Sequence, residues 1–187
     1  MTILTEPIGS IPRPSKLIDA LQASAESRLS ASELSALADA ALSDTIARFE
    51  ATGSPVITDG EQTKPSFATY PIHGAHNLAP GGVTIPFADG HTRQLPCLTA
   101  GPFRYQTFAS TYLKAAQKLT NRPLNQAVIS ASTLSLLYPA DGIPGYSREQ
   151  FEEDLINEAE ADIRGCLEAG AVCANRFYRR PPGVETS

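Results

Sequence analysis

The amino-acid sequence predicts an α/β fold in which helices alternate with short, buried, parallel strands. Three observations carry that expectation: two long amphipathic segments that open with capping boxes, three short apolar runs bounded by turn-forming residues, and a polar or glycine-bearing segment after each run. In chain order, a short helix is expected over residues 15–22. Ser30 with Glu33 forms the first capping box, and Leu34, Leu37, Ala38, Ala41, Leu42, Thr45, Ile46 and Phe49 then share one helical face before Gly53 ends it. Val56-Ile57-Thr58 is the first clear strand. A turn signal at Asp89-Gly90 between alternating segments predicts a β-hairpin over residues 81–92, inserted before a second strand at residues 95–99. A helix over 107–119 and a strand over 126–129 follow. Ser147 with Gln150 opens the last helix, whose stripe reads Phe151, Leu155, Ala159, Ile163 and Leu167, with Glu149, Glu152, Glu153 and Asp154 at its positive end and Gly170 past its finish.

Composition narrows the function classes. The chain has 187 residues and a net charge of −5, and no basic stripe runs through its first 170 residues, so a nucleic-acid footprint is not expected. No apolar run approaches the length of a membrane span, and the start Met1-Thr2-Ile3-Leu4-Thr5-Glu6-Pro7 lacks the basic and apolar regions of a secretory signal. A cytoplasmic chain is the expectation. Cys97, Cys166 and Cys173 match no metal or redox spacing and read as reduced, mostly packed thiols.

Both arrangements open to such an alternation, the doubly wound sheet and the (β/α)8 barrel, gather their chemistry beyond the carboxyl ends of the strands. Asp59-Gly60-Glu61, Gly101-Pro102 and Ser130-Ala131-Ser132 fall there. One carboxylate of the first segment could hold an ammonium group, although a solvated turn or a helix-leading acid has the same composition. Ile8-Gly9-Ser10-Ile11-Pro12-Arg13-Pro14 is a stiff loop suited to a small carboxylate, or to an ordinary connector. His73 and His76 stand at HxxH spacing in a Pro- and Gly-bounded loop, where two ligands fall short of a zinc site. Tyr70, Phe103, Tyr105 and Tyr138 could line a pocket or fill the core. No P-loop, nucleophile elbow or Cys/His pair is present.

The segments Ile8 to Pro14, Thr58-Asp59-Gly60-Glu61-Gln62, Ser130 to Pro139 and Tyr146 to Gly170, in that order, resemble the catalytic domain of the cobalamin-independent methionine synthases. The resemblance runs over about residues 5–171. It implies a (β/α)8 barrel, zinc as cofactor, and methyl transfer from methyltetrahydrofolate to homocysteine. It further implies that Ile8, Gly9, Ser10 and Glu61 hold the amino-acid part of homocysteine, with Asp59, His73 and Ser132 as further pocket candidates. The related epoxyalkane:coenzyme M transferases share the barrel, so transfer of an alkyl group to another thiol is the alternative. Glu61 favours an amino-acid acceptor, since a sulfonate thiol calls for basic groups.

The resemblance implies zinc ligands from the later half of the barrel, so no metal ligand is assigned in this chain. A full barrel takes about 250 residues. The chain is expected to form a partial (β/α)8 barrel of about four to five βα units over residues 1–171 with the hairpin inserted, followed by an irregular basic tail at 172–187. Arg176, Arg179, Arg180, Pro181 and Pro182 do not suit a central strand. Codons for Cys173 to Arg179 can spell Val-Gln-Ile-Asp-Phe-Thr when read one base over, so a frameshift near Val172 is expected, with a genuine basic tail as the alternative. Such a half-barrel would be inactive. It would expose open strand edges and the inner faces of Val56-Ile57 and Val128-Ile129, inviting association with another chain.

Overall fold

In the computed structural model the described residues are 7–172, which leaves the basic tail beyond Val172 outside them. Helices α1 (Ser15–Ala25) and α2 (Ala31–Ala51) pack on each other and lead to strand β1 (Ile57–Thr58). A long excursion follows, holding a 3-10 turn at Tyr70–Ile72 and the strands β2 (Leu78–Ala79), β3 (Thr84–Pro86), β4 (Thr92–Gln94) and β5 (Cys97–Leu98). Helix α3 (Ala109–Gln117), strand β6 (Leu124–Asn125), the short α4 (Ala131–Leu134) and α5 (Arg148–Glu168) complete the order.

Both capping boxes form, each with reciprocal side-chain and backbone bonds: Ser30 with Glu33 and Ser147 with Gln150. Each pair satisfies two of the N–H groups that a helix start leaves open. The face expected for α2 is the buried one, centred on Ala41, Leu42, Thr45 and Ile46. In α5 the expected stripe is only half right. Phe151, Leu155 and Ala159 are buried, but the face continues through Asp162 and Cys166, while Ile163 is half-buried and Leu167 is exposed. A strict i,i+4 ladder drifts by ~40° per step on a 3.6-residue helix, so four steps carry Leu167 most of the way to the opposite side.

The strands also depart from expectation in one respect. β1 and β6 pair in parallel, with Ile57 opposite Leu124 and Thr58 opposite Asn125. Ile11 N–H donates to Gly60 O at 3.2 Å on one flank, and Val172 N–H donates to Leu124 O at 2.9 Å on the other. Chain segments therefore lie side by side in sequence order, as successive βα units require. The run at residues 95–99 does not join them. β5 pairs antiparallel with β2, and the expected hairpin forms as β3 with β4. An apolar run bounded by Pro looks the same in either sheet, and its partner is set by the loop around it. Without that strand in the parallel set, the described residues form a mixed α/β fold with small sheets. Residues 126–129, expected as a strand, lie just past β6.

The core is one cluster that includes Leu42, Ile46, Ile57, Leu113, Val128 and Phe151. Ile57, Val128 and Ile129 are buried and Val56 is half-buried, so the inner faces expected to lie open are covered within the chain itself. Tyr70, Phe103, Tyr105 and Tyr138 belong to this core. Phe103 meets Phe151 edge-on with ring centroids 5.2 Å apart.

One polar group enters the core from α5. Asp162 accepts hydrogen bonds from Ala109 N–H at 2.6 Å and from the Tyr70 hydroxyl, which in turn accepts from Ile129 N–H at 3.3 Å. Burial raises the Asp162 carboxyl above its ordinary range, and the two donated hydrogen bonds oppose that shift. Asp162→Asn replaces an acceptor oxygen by a donor and leaves one buried partner unmatched, a loss of about 1–3 kcal/mol in urea unfolding. The folded carboxyl binds its proton more tightly than the unfolded one. Its contribution is thus full at acid pH and declines as pH climbs through the raised value, so the wild-type advantage over the variant shrinks in that direction.

Candidate functional site

β1 ends in a turn that reverses twice in succession. Gly60 has φ +61° and Glu61 has φ +56°. Only glycine fits the first position: a Cβ there would stand 2.8 Å from Thr45 Cγ2 and 2.9 Å from Ile11 Cγ1. Glu61 holds the left-handed region with a side chain present, at a cost of about 1–2 kcal/mol that its surroundings offset.

Several contacts hold it there. Asp59 Oδ1 accepts from Glu61 N–H at 2.9 Å, and Asp59 Oδ2 accepts from Gln126 Nε2 at 3.3 Å, across from β1 to the end of β6. Arg13 then closes over the turn: its Nη2 donates to Glu61 O at 3.3 Å and to Lys64 O, and its Nε donates to Gln62 O at 3.4 Å. Gln62 Nε2 answers by donating to Ile11 O at 3.4 Å. Lys64, only 1% exposed, donates from Nζ to Ala127 O at 2.6 Å and lies 3.8 Å from Glu61 Oε1.

These bonds bring the Ile8 to Pro14 loop against the turn. Ser10, Ile11, Glu61, Ser66, Phe67 and Arg93 line a cleft of about 260 Å³, with Arg13 in its wall. Arg93 reaches it from β4, donating to Ser66 Oγ at 2.8 Å with its guanidinium 5.0 Å from the Phe67 ring centre. The cleft therefore pairs a hydroxyl and a buried carboxylate on one side with a cation on another. A small zwitterion suits that arrangement.

Not every candidate gathers there. Ser10 and Glu61 line the cleft. Gly9 is buried, Ile8 is 80% exposed and is not among the lining residues, and Asp59 supports Glu61 from beneath. His73 is exposed and borders a separate cleft of about 350 Å³ between the first two helices and residues 62–65. Ser132 is exposed at the start of α4, where its hydroxyl meets Ser130 Oγ at 3.0 Å. Among the described residues no three His, Cys, Asp or Glu side chains stand close enough to share a metal ion, so zinc does not fit any group of them. Burial pushes the Cys166 thiol up to about 12, which leaves it a poor nucleophile at neutral pH. A larger hollow of about 500 Å³ beside Gly101, Tyr146 and Asp154 is a weaker candidate, since Asp154 is engaged by Arg104, the Tyr146 hydroxyl at 2.6 Å and Phe103 N–H at 3.2 Å.

Neither a protein family nor a curated protein matches the sequence. Solved structures do match the fold. A B12-independent methionine synthase from Shewanella sp. W3-18-1, in complex with selenomethionine, superposes with a TM-score of 0.70 at 20% identity, over 91% of this chain and 50% of that one. The fold is similar to about half of that synthase. A Listeria monocytogenes protein assigned to the vitamin-B12-independent methionine synthases agrees, with a TM-score of 0.59 at 20% identity, over 89% of this chain and 48% of its own. This chain thus spans about half the length of the synthases it resembles.

Residues that carry little or no local sequence signal do much of the positioning. Arg13 lies inside the Ile8 to Pro14 segment, yet a guanidinium that binds backbone carbonyls leaves no spacing signal. Lys64 follows Glu61 by one helical turn's worth of residues, a weak signal in a loop. Arg93 comes from the hairpin, and nothing in its local sequence points at Glu61. Among the described residues no helix is long and apolar enough to cross a membrane.

The geometry at Gly60 yields a direct expectation. Gly60→Ala combines left-handed strain with overlap against Thr45 and Ile11, so the melting temperature should fall by an amount equivalent to about 1–3 kcal/mol. Circular dichroism melts of the two proteins provide the comparison.

Proposed function

We propose that the cleft between Ser10 and Glu61 binds the amino-acid end of homocysteine or methionine, in the service of methyl transfer from methyltetrahydrofolate to a thiol sulfur. One observation carries the reading. The two segments singled out by their resemblance to the synthases, far apart in sequence, meet in one cleft with a buried carboxylate and a hydroxyl on its wall. The fold likeness to a synthase solved with selenomethionine supports it, since an amino acid of that shape is what that protein holds.

The chain's own residues supply binding and orientation. Glu61, 3% exposed, presents its carboxylate to the ligand's ammonium in a setting where water competes poorly. Ser10 and the backbone beside it face the ligand's other polar end. Zinc, where a protein of this kind holds it, lowers the proton affinity of the acceptor thiol. The described residues offer no group of ligands for it, and their part is confined to holding the amino acid.

Arg93 favours a second reading of the same cleft. A guanidinium with one hydrogen bond to Ser66 suits a sulfonate, as an acceptor of the coenzyme M type would present. The two readings separate on ligand charge. Methionine should bind, and Glu61→Gln, which keeps the size but removes the charge, should weaken it by about ten- to a hundredfold, equivalent to about 1.5–3 kcal/mol. Calorimetry with methionine and with 2-mercaptoethanesulfonate decides: preference for the sulfonate, or unchanged methionine affinity in the variant, removes the amino acid from this site.

A further inference from the structure

We propose that Lys64 is a positioning residue, whose buried ammonium holds the Glu61 carboxylate in the orientation that a ligand's ammonium requires. The inference rests on the amino-acid reading of the cleft and goes beyond it by assigning what prepares Glu61 for that ligand.

A lysine 1% exposed is unusual unless it is paired. Lys64 has four partners. Its Nζ donates to Ala127 O at 2.6 Å, lies 4.6 Å from the Tyr70 ring centre and 5.7 Å from that of Tyr112, and faces Glu61 Oε1 at 3.8 Å. The first contacts fix the ammonium to the β6 side of the fold and to the aromatic wall. The last one fixes Glu61. At 3.8 Å the attraction is Coulombic rather than a hydrogen bond, so Lys64 steers the carboxylate without occupying one of its acceptor positions.

Other charged groups surround the pair. Asp59 is a second buried carboxylate in the same turn, and Asp162 reaches the ammonium electrostatically from α5. Arg13 is engaged with the carbonyls of residues 61, 62 and 64, and Arg93 stands on the hairpin side of the cleft with Ser66. Lys64 is the fully buried cation among these groups, so its loss would leave Glu61 in a low-dielectric turn without that counter-charge. A carboxylate already oriented meets a ligand's ammonium at lower cost than one that must first be turned.

The test compares two ligands on the full 187-residue chain: methionine and 4-(methylthio)butanoate, which has the same skeleton without the amino group. The ratio of their affinities isolates the ammonium contact. Wild type should favour methionine, and Lys64→Met should reduce that preference by about tenfold or more, while Lys64→Arg keeps most of it. A residue that merely supports the loop would lower both affinities alike, so an unchanged ratio in Lys64→Met overturns the proposal. A wild type without preference removes the amino-acid reading and the Lys64 role together, whereas a preference that persists in Lys64→Met removes only the latter. Should Lys64→Met fail to fold, adding Glu61→Gln decides the matter. Charge pairing requires the double variant to regain a cooperative melt, and its failure to do so overturns the proposal.

Discussion

The turn after β1 is held from two sides by cations that come from different parts of the chain, and the rest of the candidate site depends on it. Arg13 reaches in from the loop before α1 and binds carbonyls at residues 61, 62 and 64, while Lys64 reaches out of the turn to Ala127 beyond β6. A peptide carbonyl in a loop has no ladder partner, and burying it unmatched is costly. Arg13 satisfies three of them with one planar group. That is what allows Glu61 to occupy a left-handed conformation and to place its side chain on a cleft rather than in solvent.

A second polar anchor ties the helical layer to the same region. Asp162 projects from the buried face of α5 and binds Ala109 N–H at the start of α3 and the Tyr70 hydroxyl, and the Tyr70 ring lies beneath the Lys64 ammonium. A run of contacts thus joins α5, α3, the excursion after β1 and the turn. Buried polar groups connected in this way constrain geometry more tightly than apolar contacts, because each has few satisfactory arrangements. The position of Glu61 is therefore set by elements distributed over most of the described chain.

The likeness to methionine synthases at 20% identity is a statement about fold, and the fold has a functional consequence of its own. Parallel strands that lie side by side in chain order put the loops that follow them on one side, where polar residues can converge. Asp59 after β1 and Gln126 after β6 meet there at 3.3 Å. The excursion that carries the hairpin adds a further wall, and with it Arg93, to a cleft that the strand ends alone would leave open.

Much of the architecture was legible in local sequence. The capping boxes at Ser30 and Ser147, the buried face of α2, the hairpin at Asp89-Gly90 and the strand at Ile57 follow from short-range rules, because caps, turns and amphipathic faces are decided within one or two turns of chain. Ser10 and Glu61, which the ordered resemblance of their segments singles out, line one cleft. What sequence could not convey was pairing. Residues 95–99 read as a parallel strand, but within them Cys97 and Leu98 pair antiparallel with Ala79 and Leu78, since an apolar run carries no label for its partner. The drift of the α5 face onto Asp162, the reach of Arg13 and Arg93 to a shared cleft, and the burial of Lys64 against Glu61 all depend on distances between residues remote in sequence. Local composition determined which elements form, whereas tertiary structure decided which charges meet, because electrostatic and hydrogen-bond partners are chosen by proximity in space and not by separation along the chain.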